Sequence, residues 1–395
     1  MTTKTTKRRV PKGKFDEFFK ERENECACDR QKGSVVLFYK YIGVDAIDGK
    51  TKLDGILALE TVRENVEGVM RELNVRGKIR VSSEGINATA SGSAINVSLF
   101  EKRLKEDEIF RVLELNEVDF KSERGDACEH LFESASVRIV DELCPFQPTN
   151  RKVSAEERVK HIHQPTERLT AESWRERLLS SKDDDDVVVL DVRNSYESRM
   201  GRFCPEKTIC APIRRFNQFK EWVEEKGGYE FIKGKRIYAY CTGGVRCEKV
   251  SSYLLSDKFN ELGGAVKSVS VLEGGIVSYA RDVGDDLFLG VNYVFDARGS
   301  ADVNKKKSSN LNNRKVLTTC DACAKQCLPV LARCASKNCH TILASCGRCE
   351  IVYCCDTCRR QNTNNIGMET NIIRGKTCEC DNFDARERRL KVPHN

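Results

Sequence analysis

Cys241 and the residues after it carry the chain's most specific chemistry. The run is Tyr240-Cys241-Thr242-Gly243-Gly244-Val245-Arg246-Cys247-Glu248-Lys249. An apolar stretch, Arg236 to Tyr240, precedes it and reads as a buried strand. Apolar residues at helical spacing follow it, so the pattern is strand, tight loop, helix. The glycines let the backbone curl until several N–H groups aim at one point, and the helix start adds its positive end there. A thiol so placed favours its thiolate, with a pKa falling from about 8.5 toward about 7 or lower. Arg246 adds fixed positive charge. It stands five residues after Cys241, so the loop suits a single sulfur or small anion. Cysteine-dependent phosphatases, with six, hold a tetrahedral phosphate. Cys247 either opens the helix or resolves an oxidised Cys241; the first role is the expectation.

The second chemical signal is the distribution of thiols. Of 20 cysteines, eight precede residue 300 and twelve fall between Cys320 and Cys380. Met1 to Lys20 is basic and has no apolar core, so no secretory signal is expected. Metal binding or catalysis is then favoured over disulfides, in a reducing compartment, the cytosol. Cys320-x2-Cys323, Cys346-x2-Cys349 and Cys355-x2-Cys358 are knuckles whose paired thiolates reach one tetrahedral ion. With Cys334 and Cys339 they make eight candidate ligands for two structural zinc ions. Cys327, Cys354 and His340 are further donors, and an iron–sulfur centre is the alternative. So short a segment has little apolar core, so metal must supply much of its folding free energy.

These sites need elements to hold them. Strand Val187 to Leu190 delivers Asp191-Val192-Arg193, strand 208–213 and a helix with Phe216, Phe219, Trp222 and Val223 on one face follow, and Lys267 to Leu272 ends in Glu273-Gly274-Gly275. Alternating strands and helices predict a parallel sheet with helices on both faces. In such sheets the site lies at the carboxyl ends of the strands, where Cys241, Asp191 and Glu273 converge. Asp191 and Arg193 are expected to brace the rim. Upstream, Ser34 to Val44, Lys78 to Ser82 and Gly85 to Ala90 read as strands, as do Arg111 to Leu115 and Val137 to Val140. Thr61 to Leu73 and Ala94 to Leu104 read as helices, the latter with Ile95, Leu99 and Leu104 apolar. That order predicts a ferredoxin-like split βαβ domain. Tyr39, Lys40, Tyr41, Lys78 and Arg80 mix aromatic and basic groups, as a base-stacking platform would.

Cys-Thr-Gly-Gly-Val-Arg-Cys-Glu-Lys resembles the active loop of a rhodanese domain, and more narrowly that of the rhodanese-containing tRNA uridine hydroxylases. Asp191 to Glu197, Phe38-Tyr39-Lys40-Tyr41, Ser83 to Ala88, the stretch from Leu289 to Arg298 and the cysteine-rich tail resemble the same family. The resemblance implies a multidomain α/β and α+β chain. Its parts are a basic disordered arm (1–32), a ferredoxin-like (acylphosphatase-like) domain (33–142), a linker (143–168) and a rhodanese domain (169–300). A linker (301–316), a zinc-binding segment (317–362) and a flexible tail (363–395) complete it. It further implies hydroxylation of a wobble uridine to 5-hydroxyuridine with molecular oxygen, Cys241 and Arg246 acting within the loop Thr242, Gly243, Gly244, Val245 and Cys247, with tRNA as partner. No nicotinamide or flavin fingerprint is visible. Two rivals remain: a sulfurtransferase carrying sulfur as a Cys241 persulfide, and a protein-interaction module with an inert rhodanese fold. Net charge is +7 and no run approaches 18 apolar residues, so nucleic acid is permitted and no membrane span is expected.

Overall fold

The computed structural model describes residues 33–42, 53, 56–147, 166–203, 207–263, 265–296, 298–301, 303, 318–327, 330–336, 339, 341–349 and 351–363. The basic arm, His161, His163, His340, Cys378 and Cys380, most of the 301–316 linker and the 363–395 tail beyond Thr363 lie outside the described residues.

Alternation builds the first sheet. In β1 (Gly33–Tyr41), Val36 and Phe38 point into a core, while Val35, Leu37, Tyr39 and Tyr41 take the opposite face. Next come α1 (Ile56–Glu72), β2 (Arg76–Ser82), β3 (Gly85–Ser93), α2 (Ala94–Glu106), β4 (Phe120–Ala127) and β5 (Ala135–Ile139). The sheet order is β4-β1-β3-β2-β5, antiparallel except at β2–β5. The first four strands and two helices give the expected split βαβ arrangement, and Val62, Val66, Val69 and Met70 of α1 are buried against it.

Two local expectations fail. Arg111 to Leu115 is not a strand: Glu108–Leu113 forms a 3-10 turn that buries Phe110 and Leu113, three residues apart. The strand used is Phe120–Ala127, whose charged Lys-Ser-Glu-Arg-Gly-Asp run hid it. In α2 the inward face is Val97, Phe100 and Leu104, while Ile95 and Leu99 are exposed. Ser93 accepts the Asn96 N–H at 3.2 Å and so sets where that helix begins and which face turns inward.

The second domain has a wholly parallel sheet, ordered β6-β11-β10-β7-β9. Its elements are β6 (Glu167–Leu169), α3 (Ala171–Ser180), β7 (Val187–Asp191), α4 (Ser195–Met200), β8 (Gly201–Phe203), β9 (Thr208–Cys210), α5 (Phe219–Glu225), α6 (Tyr229–Ile232), β10 (Arg236–Tyr240), α7 (Val245–Leu254), α8 (Asp257–Glu261), β11 (Ser268–Leu272) and α9 (Gly275–Asp282). Side chains of β7, β10 and β11 pack into cores on both faces, as the continuous apolar runs require. The start of the expected 143–168 linker is not loose chain. Cys144 and Phe146 belong to the second domain's core, Leu143 packs on Tyr39 and Tyr41, and Glu167–Leu169 is an edge strand.

Beyond it, β12 (Phe288–Gly290) pairs with β8, and β13 (Asn292–Tyr293) with β14 (Ser300–Ala301). The cysteine-rich unit follows as β15 (Val330–Arg333), β16 (Ile342–Ser345) and α10 (Asp356–Thr363). It docks on α4 through a buried ion pair, Arg199 to Asp321 at 3.0 Å. Among the described residues, no helix is long and apolar enough to cross a membrane.

The first two domains meet along α7. Lys249 Nζ lies 2.8 Å from Glu84 and 2.6 Å from Glu142, with Lys249 and Glu84 nearly or wholly out of solvent. The Leu143 N–H donates to the other Glu84 oxygen at 2.9 Å. Glu248 accepts from Arg168 at 2.6 and 2.9 Å and from the Tyr39 hydroxyl at 3.0 Å. Removing one member of a buried ion cluster strands the other charge, at about 3–5 kcal/mol. Lys249→Met should therefore lower unfolding free energy in urea by about that amount, whereas a loss within the error of the wild-type curve would show the seam is not closed in solution.

Candidate active site

The loop after β10 is held from beneath. Asp191, at the end of β7, accepts the Tyr240 hydroxyl at 2.8 Å and takes Arg193 through Nε at 2.9 Å and a terminal nitrogen at 2.7 Å. Both residues are fully buried, so they brace the site from beneath rather than at its rim. They lock the residue just before Cys241. Burial pushes the Asp191 carboxyl up, but Arg193 outweighs it and holds the carboxyl below the usual range.

The third strand end supplies backbone donors. The Cys241 and Thr242 carbonyls accept the N–H groups of Ile276 and Val277 at 3.0 Å each. Gly275 has φ +62°, and a Cβ there would lie 2.4 Å from the Cys241 oxygen. Glu273-Gly274-Gly275 therefore has a geometric reason: no side chain fits between α9 and the loop.

Around the sulfur, the Gly244 N–H donates to Cys241 Sγ at 3.1 Å. The Arg246 N–H and the Cys247 thiol also favour its thiolate. Burial alone would push the Cys241 thiol up. The Cys247 hydrogen bond, the Arg246 guanidinium and the two backbone N–H groups outweigh burial and bring it down to about 6. Cys247 shows the converse: burial and its bond to Cys241 push its thiol well up, so it keeps its proton. Arg246 is not a free cation over the loop. Glu197 of α4 grips it with two bonds of 2.8 and 2.6 Å, and it donates to Thr242 Oγ1 at 3.2 Å. Glu197, fully buried, is the site residue that spacing did not single out; its place in a helix capping box concealed a second role.

Cys241 is not at an open mouth. It is fully buried, because β1 of the first domain closes over the loop. A Cβ on Gly243 would meet Leu37 at 2.6 Å, and one on Gly244, at φ +97°, would meet the Tyr39 hydroxyl at 2.8 Å. Val245 packs on Tyr39, Tyr41 and Leu143. The glycines thus serve the approach of β1 as well as the turn. Tyr39 and Tyr41, expected as a stacking platform with Lys78 and Arg80, are spent on this contact, while Lys78 and Arg80 stay exposed.

Two spaces flank the lid. One of about 20 Å³, lined by Leu37, Lys121, Thr242 and Phe295 among others, has room for a water-sized occupant. The other, about 330 Å³, opens at the domain seam between Tyr39, Lys40, Tyr41, Lys121, Arg168 and Glu273. Lys121 borders both and lies 4.9 Å from the Tyr39 ring. Burial brings its ammonium down to about 8, against the opposing pull of Asp119.

The cysteine-rich unit gathers two sets of four sulfurs, each set within 4.8 Å: Cys320, Cys323, Cys346 and Cys349; and Cys334, Cys339, Cys354 and Cys358. Neighbouring sulfurs lie 3.9 Å apart for Cys323–Cys346, 3.7 Å for Cys346–Cys349, 3.6 Å for Cys339–Cys354 and 3.4 Å for Cys354–Cys358. A tetrahedron with Zn–S of about 2.3 Å has edges of about 3.8 Å, so both donor sets fit that ion. Cys355, expected as a ligand, is replaced by Cys354. Its sulfur instead accepts the Cys358 N–H at 3.5 Å, at the start of α10.

Labelling at Cys241, followed by peptide mass against pH, should show a reactivity midpoint near 6, with the thiolate reactive above it and the thiol inert below. Cys247→Ala removes one donor and should move the midpoint upward. A wild-type midpoint at the simple-thiol value, about 8.5, would contradict the thiolate geometry.

Family models match along most of the described chain: a UPF0176 acylphosphatase-like domain over residues 33–143, a rhodanese-like domain over 175–282 and a rhodanese C-terminal region over 289–363. A tRNA uridine(34) hydroxylase of Staphylococcus carnosus is 30% identical over 88% of this chain and 97% of its own length. One from Cytophaga hutchinsonii is 34% identical over 64% of this chain and 69% of its own. Rhodanese-like domain-containing protein 6 of Arabidopsis thaliana is 26% identical over 92% of this chain and 59% of its own. With the buried thiolate loop and its lid contributed by both matched domains, the chain belongs to the tRNA uridine(34) hydroxylase family.

Proposed function

We propose that this protein hydroxylates the uridine at position 34 of tRNA, giving 5-hydroxyuridine, with Cys241 as the reactive thiolate, Arg246 fixing the loop's charge and molecular oxygen as co-substrate. One observation carries the reading. The thiolate loop is completed by a strand of the first domain, and the Staphylococcus carnosus hydroxylase matches across both domains. A base must leave its stack to be modified, and an anticodon-loop uridine is already in a single-stranded region. The seam cavity is within the size range of ligand sites, and Lys40, Lys121 and Arg168 line it together with Asp119, Glu248 and Glu273. The cytosol, where tRNA and reduced thiols coexist, is the proposed compartment.

Two zinc ions are proposed for the two four-sulfur sets, where they supply folding free energy rather than chemistry. Metal analysis of purified protein should find two zinc ions per chain. Cys354→Ser should lose one and Cys355→Ser should keep both; the opposite pattern would return Cys355 to the ligand set.

The deciding measurement is mass spectrometry of tRNA nucleosides from a strain lacking the gene. 5-Hydroxyuridine and its derivatives should fall, return with the wild-type gene, and stay absent with Cys241→Ala; unchanged levels in the deletion strain would end the proposal. The same thiolate loop could carry a sulfane sulfur. Cys241-dependent thiocyanate formation from thiosulfate and cyanide would favour that second reading.

A further inference from the structure

Hydroxylating a C–H bond with molecular oxygen places one oxygen atom in the product and one in water, and that reduction needs two electrons besides those of the C–H bond. Two sulfurs in the active loop can provide them. Cys241 and Cys247 are both fully buried, belong to one core cluster, and each shifts the ionisation of the other. Cys247 lies in the first turn of α7, its own N–H bonded to the Gly244 carbonyl at 3.0 Å, so one tight turn keeps both cysteines in the same loop. The helix position expected of Cys247 does not need a thiol there. Any small apolar side chain would fill that core position, so packing alone does not call for sulfur.

We infer that Cys247 is a catalytic residue of the hydroxylation, and that the Cys241–Cys247 pair is the two-electron reductant, leaving each turnover as a disulfide. The inference rests on the hydroxylase reading. The balance is one uridine C–H, one O2, the Cys241 thiolate and the Cys247 thiol going to one uridine C–OH, one disulfide and one hydroxide. The C5–H and both sulfurs are oxidised, and oxygen is reduced. The Cys247 proton and one oxygen atom leave together as the hydroxide. A low-molecular-weight thiol then restores the pair by thiol–disulfide exchange. Forming an S–S bond of about 2 Å draws the first turn of α7 toward the end of β10. The Lys249 and Glu248 contacts on the same helix tie that movement to the lid.

The test uses the full-length protein, reduced and then freed of reductant, with tRNA from the deletion strain and air-saturated buffer. 5-Hydroxyuridine is counted by nucleoside mass spectrometry and thiol state by differential alkylation and peptide mapping. One 5-hydroxyuridine per Cys241–Cys247 disulfide is expected, with the reaction stopping after one turnover and resuming on addition of dithiothreitol. Cys247→Ser should cut single-turnover product at least tenfold while tRNA binding, measured by filter retention, is unchanged. Product formed with both thiols still reduced, Cys247→Ser matching wild type, or a disulfide joining Cys241 to Cys144 would each overturn the assignment while leaving the hydroxylase reading intact. No 5-hydroxyuridine from wild type even in excess dithiothreitol would overturn both.

Discussion

Everything in this molecule depends on the charge seam along α7. Lys249 is shared between Glu84 and Glu142, and Glu248 between Arg168 and Tyr39. Burying such groups unpaired would cost several kcal/mol each, so their pairing fixes the position of the first domain. Glu84 is itself raised by burial and held against that by Lys249 and the Leu143 N–H, so it is the member most sensitive to losing its partner. Because α7 begins at the reactive loop, the residues that dock the two domains are one or two turns from the sulfur they cover. Docking and active-site closure are one event.

The ionisation of Cys241 is achieved against that closure. Excluding water removes the solvent that would stabilise a thiolate, and burial is the largest influence opposing it. Fixed donors replace the solvent: Gly244, Arg246 and Cys247 are oriented by the turn before any substrate arrives, so they need no reorganisation. Glu197 balances Arg246, so the thiolate leaves the buried loop with one net negative charge that the fixed donors must stabilise. The design tolerates little change in size. Gly243, Gly244 and Gly275 each sit where a single added carbon would strike Leu37, Tyr39 or the loop's own carbonyls.

The cysteine-rich unit stands apart from this chemistry but not from its support. Arg199, on the same α4 that presents Glu197, is bonded to Asp321 and the Thr319 carbonyl beside the first sulfur set. A metal bound by the sulfur sets would therefore also steady the helix that grips Arg246. Tyr196 and Tyr293 pack edge to face at 5.3 Å on the other side of that helix, which gives α4, six residues long, the anchoring its length cannot supply.

The sequence by itself determined the strand–loop–helix around Cys241, the parallel sheet beneath it, the split βαβ domain and the knuckle spacing of the tail. Those are set by periodicity, glycine placement and ligand separation, all local along the chain. It also carried the family resemblance, because Phe38 to Tyr41, Ser83 to Ala88 and Cys241 to Lys249 are contiguous motifs. Only the tertiary structure decided that these three motifs touch. Tyr39 reaches Glu248 across 209 residues and Glu84 reaches Lys249 across 165, distances no local pattern encodes. The same limit explains the exchange of Cys354 for Cys355: adjacent thiols have identical spacing signals, and the choice falls to which one the start of α10 uses as its cap. It explains Asp191 and Arg193 as well. A strand-end acid beside an arginine looks like a rim in one dimension and becomes a buried lock once the neighbouring strand brings Tyr240 alongside.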